Sequence, residues 1–184
     1  MLTFIVGPTR SGKSVLANKI AQAGYGNCEV VDVGQIARLT AGPDDQKDIA
    51  SGYLSSRGDK GTDWVSDMVD KVAAARRKSV SDAIVVGYPR SEGQLAHILP
   101  LLQAEYDKAQ LVCVMVAENE IRKRARHTRE DDKEESTLQK KQDHFYNLLP
   151  SLRKHITLFV TTELHNSGNL NELAQSVYKR LHGH

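Results

Sequence analysis

No apolar run in the 184-residue chain approaches the ~20 residues that a membrane-spanning helix requires, so no transmembrane segment or membrane partner is expected. The opening MLTFIVG is too short for a signal peptide and lacks its basic start. The cysteines, Cys28 and Cys113, are too few for a disulfide framework, and both lie in apolar runs that favour buried free thiols. These absences predict a cytoplasmic protein.

A strong charge of one sign is also missing. The net charge is +2 at pH 7, which gives no electrostatic footprint for duplex nucleic acid. The histidines and cysteines show no H-x-x-x-H or Cys-x-x-Cys grouping, so no structural metal site is expected. No repeat, low-complexity linker or second domain is visible either. Residues 1–184 are therefore predicted to form one domain, and we expect a monomer.

Short apolar runs alternate with helical patterns along the chain. Strands are predicted at 2–6, 28–33, 82–87, 110–116 and 156–160, and helices at 13–23, 34–40, 62–79, 91–105, 118–127, about 132–148 and 168–182. The strands are almost continuously apolar, as in parallel sheets that are covered on both faces. The alternation favours a doubly wound α/β fold with a central five-stranded parallel sheet, in which ligands bind at the carboxyl ends of the strands.

Two segments interrupt this alternation. Residues 39–80 are too long for a simple crossover between the second and third strands, and they are predicted to form a helical insertion. Residues 124–135 are highly charged and are predicted to form a short lid. The lid begins within IRKRARHTR, where five of nine residues are Arg or Lys.

A phosphate-binding loop is predicted directly after the first strand. GPTRSGKS, residues 7–14, matches G-x-x-x-x-G-K-[ST] and opens the first helix, which is the context that this motif requires. Backbone N–H groups and the helix N-terminus would hold the phosphates of ATP, and Lys13 would reach the β- and γ-phosphates. Ser14 would ligate Mg²⁺ through its hydroxyl. The predicted nucleotide-binding residues are Gly7, Arg10, Ser11, Gly12, Lys13 and Ser14.

The loop alone does not name a reaction, because GTPases, ATPases and small-molecule kinases share it. A second segment, VVGYPRSEGQ (85–94), resembles the Asp-Gly-(Phe/Tyr)-Pro-Arg-x-x-x-Gln segment of adenylate kinases and related nucleoside monophosphate kinases. VGQIAR (33–38) resembles that family's segment after the second strand. TREDDKEES (128–136) resembles its lid segment Arg-x-Asp-Asp-x-x-Glu. The resemblance implies the P-loop three-layer fold, with the insertion binding the acceptor.

The resemblance also implies roles for individual side chains on the acceptor side. Arg38 and Arg90 would grip the α-phosphate of the acceptor, and Arg90 would also bridge to the transferred group. Gln94 would contact the acceptor base, which mildly favours an AMP-like acceptor. Gly34 and Gly87 belong to the same two segments and are predicted to line the substrate site.

On the donor side, the resemblance implies that Arg124 and Arg129 close over the transferring group. Together with Lys13 and Arg90 they form the predicted catalytic set. The lid is too short for a zinc-binding lid and lacks the four Cys or His ligands that one needs. The reaction implied is transfer of the γ-phosphoryl group of Mg·ATP to a nucleoside monophosphate.

Three positions depart from the family pattern. Val86 stands where the family has an aspartate that helps to hold Mg²⁺, and Val33 and Lys140 replace a threonine and an arginine. Asp32, at the end of the second strand, is the predicted substitute for the missing carboxylate. The departures leave two alternatives open: a kinase for another small acceptor, such as a deoxynucleotide or a metabolite, or a nucleotide-binding regulator or ATPase with weak transferase activity.

Overall fold

A parallel β-sheet lies at the centre of the computed structural model, which describes residues 1–23, 28–40, 60–78, 82–103, 109–126, 135–161 and 167–182. Its strands are β1 (Leu2–Val6), β2 (Cys28–Asp32), β3 (Asp82–Val86), β4 (Ala109–Met115) and β5 (Leu158–Thr161). The helices are α1 (Lys13–Ala23), α2 (Val33–Thr40), α3 (Lys60–Lys78), α4 (Glu92–Gln103), α5 (Glu118–Arg126), α6 (Glu135–Arg153) and α7 (Ser167–His182).

The strand order is β2-β3-β1-β4-β5, and every neighbouring pair is parallel. This arrangement confirms the predicted α/β fold with a five-stranded parallel sheet. The chain leaves β1 toward β2 on one side, whereas it leaves β3 toward β4 on the other side of β1. The carboxyl ends of β1 and β3 therefore flank the point where the winding reverses, which is where doubly wound sheets bind ligands.

Both faces of the sheet are covered by helices. Phe4 and its alternate neighbours pack with side chains of α3, α4 and α6, whereas Ile5 packs with α1 and α7 on the other face. Every residue of β1 is buried, as expected for a central strand between two helical layers. Cys113, on β4, is buried, but Cys28 is only half-buried because β2 is an edge strand. Burial raises the pKa of both free thiols to about 11.

The predicted boundaries hold to within a few residues, with one larger difference at the end of α6. This helix continues through Pro150 to Arg153, beyond the predicted end at 148, because Leu149 and Leu152 bury their side chains against the sheet. The turn that follows occupies the first residues of the predicted last strand, so β5 begins at Leu158. Among the described helices, none is long and apolar enough to cross a membrane.

The predicted insertion and lid are described only in part. The described portion of the insertion is α3 together with the end of α2, and residues 41–59 and 79–80 lie outside the described ranges. For the lid, the described portion is its two ends, on α5 and α6, whereas residues 127–134 lie outside. The predicted catalytic residue Arg129 falls among these.

Candidate active site

The loop between β1 and α1 has the backbone of a tight phosphate cradle. Gly7, Arg10 and Gly12 have φ values of 151°, 60° and 89°. A Cβ at Gly7 would lie 2.2 Å from the carbonyl oxygen of Val114, so only glycine allows the loop to approach β4 this closely. Lys13 Nζ donates to the Pro8 carbonyl at 2.6 Å, which places the ammonium group beside the turn.

Ser14 and Asp32 form the oxygen-rich part of the site. The Ser14 hydroxyl donates to Asp32 Oδ2 at 2.5 Å, while Asp32 Oδ1 accepts the Gln35 N–H at 2.9 Å and so caps α2. One carboxylate therefore joins the first turn of α1 to the first turn of α2. Hard oxygen donors of this kind fit Mg²⁺, which usually binds through one or two protein oxygens together with phosphate and water. Within the described residues, no group of three or more His, Cys, Asp or Glu could hold a metal ion.

Val86 lies at the end of β3, beside the end of β2. Asp32 and Val86 are paired on adjacent parallel strands, so the two positions lie side by side at the same edge. The Val86 side chain is 1% exposed and belongs to the core on the Ile5 face. A carboxylate on β2 therefore lies next to the position where the adenylate kinase pattern has one on β3, and the role of Asp32 toward a metal ion stays a prediction.

Arg124 connects α5 to the phosphate loop. Its Nη1 donates to the Arg10 carbonyl at 3.0 Å, and its Nε donates to Glu120 Oε1 at 3.0 Å. Both charged side chains are largely buried, at 15% and 13% exposure. The structure therefore brings this predicted residue to the donor loop. Glu120 was not predicted, although its i,i+4 spacing from Arg124 on a helix was a visible signal.

A second arginine of α5, just before the lid, contacts the start of α6. Arg122 donates to Glu118 Oε1 at 2.9 Å within α5 and to Glu135 at the start of α6. Hydrogen bonding to Glu118, followed by the charge of Glu135, raises the pKa of Arg122. Sequence analysis did not single out this contact, because it depends on the distance between two helices.

On the predicted acceptor side, the turn after β3 holds Arg90 close to its own backbone. Arg90 Nε donates to the Gly87 carbonyl at 2.6 Å, and Gly87 has a φ of 78°, where glycine is favoured. The Arg90 N–H donates to Gln94 Oε1 at 2.7 Å, and the Gln94 N–H donates to the Ser91 hydroxyl, which caps α4. Gln94 is 3% exposed, so its carbonyl oxygen supports the loop. Contact with a base stays a prediction.

Tyr88 lies at the centre of a polar network that sequence analysis missed. Its side chain is fully buried, and its hydroxyl lies 2.9 Å from His97 Nδ1 and 3.0 Å from Ser66 Oγ. His97 Nε2 lies 3.2 Å from a carboxylate oxygen of Asp70. Burial raises the pKa of Tyr88 to about 12, so the phenol is protonated at neutral pH.

The other predicted acceptor residues lie on α2. Gly34 is buried in its first turn, directly after β2. Arg38 lies one turn further along, and its side chain is outside the described part of the chain. Lys140, which replaces an arginine of the family pattern, is exposed on α6.

The phosphate loop, Asp32, Arg90 and Arg124 lie on segments at or after the carboxyl ends of β1, β2, β3 and β4, which meet at one edge of the parallel sheet. Comparisons with known proteins give the fold a name, although the chain matches no protein-family model and no curated protein sequence. Among solved structures, it is similar to shikimate kinase from Acinetobacter baumannii in complex with shikimate (TM-score 0.65, 16% identity, 99% of this chain and 93% of that one). The fold is that of a P-loop kinase.

Two further structures agree with this assignment. Shikimate kinase from Bacteroides thetaiotaomicron has a TM-score of 0.66 at 15% identity and covers 99% of this chain and 98% of its own. A gluconokinase from Sinorhizobium meliloti 1021 has a TM-score of 0.60 at 15% identity and covers 97% and 91%. The expected P-loop fold is confirmed, whereas the specific likeness to adenylate kinases is not. At these identities the likeness establishes the fold alone.

Proposed function

We propose that this protein is a kinase that transfers the γ-phosphoryl group of Mg·ATP to a small acceptor bearing an anionic group. The observation that carries the proposal is the arrangement of one edge of the sheet. A phosphate loop with Lys13 and the Ser14–Asp32 pair lies between two arginines, Arg124 on the β4 side and Arg90 after β3. Cations on both sides of a phosphate cradle suit a reaction between two anionic reactants.

The donor half of the site follows from the loop. Its backbone N–H groups, the N-terminus of α1 and Lys13 bind the β- and γ-phosphates. The Ser14 hydroxyl gives its hydrogen to Asp32, so its lone pairs remain available to a cation. Ser14 and Asp32 would hold Mg²⁺, whose role when bound is to neutralise phosphate charge.

Arg124 supplies positive charge next to the transferring group. Its contacts with Glu120 and with the Arg10 carbonyl fix the guanidinium before substrate arrives, so little reorganisation is needed during transfer. Arg129 is proposed to add a second charge from the lid. Closure of the lid would exclude water, which competes with the acceptor for the phosphoryl group.

Arg90 is proposed to orient the acceptor. A guanidinium can bind either a phosphate or a carboxylate through two parallel hydrogen bonds. The similar shikimate kinase structure contains shikimate, a hydroxylated carboxylate, and this supports a small hydroxy acid as one acceptor class. The segment from Gly87 to Gln94 and the segment with Gly34 and Arg38 support a nucleoside monophosphate as the other.

A two-class acceptor panel tests the proposal. ADP formation from Mg·ATP would be measured with AMP, GMP, CMP, UMP, dTMP and their deoxy forms, and with shikimate and gluconate. We expect one class to give saturable stimulation that Lys13→Ala abolishes. Arg90→Lys should raise the KM for that acceptor, because a lysine keeps the charge but loses the bidentate fork. ATP binding with no stimulation by any acceptor would contradict the proposal.

A further inference from the structure

Helix α3 is joined to the Arg90 loop by a chain of polar contacts through the buried hydroxyl of Tyr88. On one side this hydroxyl contacts Ser66 of α3 at 3.0 Å. On the other side it contacts His97 of α4 at 2.9 Å, and His97 returns to α3 through Asp70 at 3.2 Å. Ser66 and Asp70 are one helical turn apart, so they lie on the same face of α3. The chain of contacts is therefore a closed connection between three segments.

The donor and acceptor properties of the four side chains fit a consistent set of hydrogen bonds. The Asp70 carboxylate can only accept, so His97 Nε2 carries the hydrogen that faces it. In the neutral ring Nδ1 then accepts the hydrogen of the Tyr88 hydroxyl, and the Tyr88 oxygen accepts from Ser66. A protonated His97 would reverse the inner bonds without breaking any of them. Every group thus has a complementary partner in either state.

The ring of Tyr88 would pack without its hydroxyl. Its centroid lies 6.3 Å from that of Phe4 and 6.2 Å from that of His97, to which it is perpendicular, and its side chain is fully buried. A phenylalanine would keep these ring contacts. What the hydroxyl adds is the attachment of α3 and α4 to the residue that stands two positions before Arg90.

We propose that Tyr88, His97, Ser66 and Asp70 are positioning residues that hold α3 and Arg90 together as one acceptor-binding unit. The inference rests on the proposed function, in which Arg90 contacts the acceptor and α3 belongs to the acceptor-side insertion. A shift of α3 moves Ser66 and Asp70 and therefore pulls on Tyr88. The positions of α3 and Arg90 are thereby coupled, whereas the phosphate loop is not part of the network.

The first test separates acceptor from donor kinetics in Tyr88→Phe. With the best acceptor of the panel, we expect its KM to rise about tenfold, because the hydroxyl contacts with Ser66 and His97 are lost, while the KM for ATP stays within about twofold. Tyr178→Phe is the matched control. Tyr178 also packs against a histidine ring, with 4.0 Å between its centroid and that of His182, but it lies on the opposite face of the sheet. The control should change neither KM. Equal rises in both KM values in Tyr88→Phe would overturn the proposal.

Two substitutions of His97 resolve which contact matters. Asparagine places an amide oxygen near the Nδ1 position and can keep the bond to Tyr88, whereas glutamine reaches the Nε2 position and can keep the bond to Asp70. Because the Tyr88 contact is buried and the Asp70 contact is exposed, His97→Asn should retain the acceptor KM better than His97→Gln. The reverse order would overturn the assignment of Tyr88 as the centre of the network.

Amide hydrogen exchange tests the connection without any substrate. We expect about tenfold faster exchange in α3 and in the Gly87–Arg90 loop of Tyr88→Phe, with α1 and α7 unchanged. Unchanged exchange in α3 would overturn the proposal, even if the parent protein phosphorylates an acceptor. Conversely, faster exchange in Tyr88→Phe, combined with a parent protein that phosphorylates no acceptor, would contradict the proposed function and leave the connection standing.

Discussion

Replacing Asp32 by asparagine would separate the two tasks of this carboxylate. Oδ1 accepts the Gln35 N–H and caps α2, and Oδ2 accepts the Ser14 hydroxyl at 2.5 Å. Asparagine caps helices as well as aspartate does, so Asp32→Asn keeps the first contact. Its amide NH₂ cannot accept, so the Ser14 hydroxyl loses its charged acceptor. Asp32→Ala removes both contacts.

The structure sets the size of each effect on stability. A charge-assisted hydrogen bond contributes about 1.5–3 kcal/mol, and the lower end applies to a half-buried pair. Loss of a helix cap costs roughly 1 kcal/mol. Since 1 kcal/mol shifts the Tm of a domain of this size by roughly 2–4 °C, we expect a fall of about 3–6 °C for Asp32→Asn. For Asp32→Ala the expected fall is about 5–10 °C.

A nucleotide-binding assay tests whether the Asp32 carboxylate also acts on Mg²⁺. A fluorescent ATP analogue would be titrated with Mg²⁺ and, separately, with EDTA. In Asp32→Asn we expect the gain in affinity that Mg²⁺ provides to fall about tenfold or more, while affinity in EDTA stays near that of the parent. Asp67→Asn, an exposed change on α3, is the matched control and should alter neither value.

Two results would refute this reasoning. If Asp32→Asn binds the Mg²⁺ complex as tightly as the parent, the carboxylate has no role toward the cation. If Asp32→Asn loses as much Tm as Asp32→Ala, the cap and the Ser14 contact are not separable.

Three further predictions concern Gly7 in the phosphate loop, Arg124 on α5 and Asp82 at the start of β3. Gly7→Ala places a Cβ 2.2 Å from the Val114 carbonyl oxygen, so we expect Tm to fall by roughly 4–10 °C and nucleotide binding to be lost. Arg124→Lys keeps the charge but cannot reach both its glutamate and the Arg10 carbonyl, so kcat should fall roughly 10–100-fold with a smaller change in the KM for ATP. Burial raises the pKa of Asp82, but hydrogen bonds from the chain's amino group and from a histidine outweigh it and lower the pKa overall. The stabilisation by this carboxylate is therefore present above about pH 4 and lost as the pH falls further, so Asp82→Asn should lower Tm at pH 7 and differ less from the parent below about pH 4.

Each of these has an outcome that would contradict it. Gly7→Ala with parental nucleotide affinity would mean that the loop can move away from β4. A larger loss in KM than in kcat for Arg124→Lys would assign this arginine to ATP binding rather than to transfer. A Tm difference for Asp82→Asn that is constant from pH 7 to pH 3 would mean that the carboxylate charge is not what stabilises the contact.

The parts of the site that sequence could predict are those built from local spacing. The phosphate loop is a contiguous motif, and its place between a strand and a helix follows from the apolar runs on either side. The position of Asp32 beside the phosphate loop could be anticipated because strand ends meet at one edge of a parallel sheet. Its pairing with Val86 depends on register, which only the structure gives.

The missed parts depend on contacts between distant segments. Tyr88, His97 and Asp70 meet across separations of 9 and 27 residues, and no spacing in the sequence signals this. The contact of Arg124 with the Arg10 carbonyl spans 114 residues. The end of α6 was misplaced for a different reason: proline usually ends a helix, but the leucines around Pro150 bury enough apolar surface to continue it.

The fate of the γ-phosphoryl group is the most direct test of the central claim. The protein would be incubated with γ-¹⁸O-labelled Mg·ATP and the panel acceptor that most stimulates ADP formation, and the products would be resolved by mass spectrometry. The account predicts that most of the label appears on the acceptor in the parent protein and that Lys13→Ala produces none. Label found only in inorganic phosphate, with no labelled acceptor, would contradict it and would identify an ATPase built on a kinase fold.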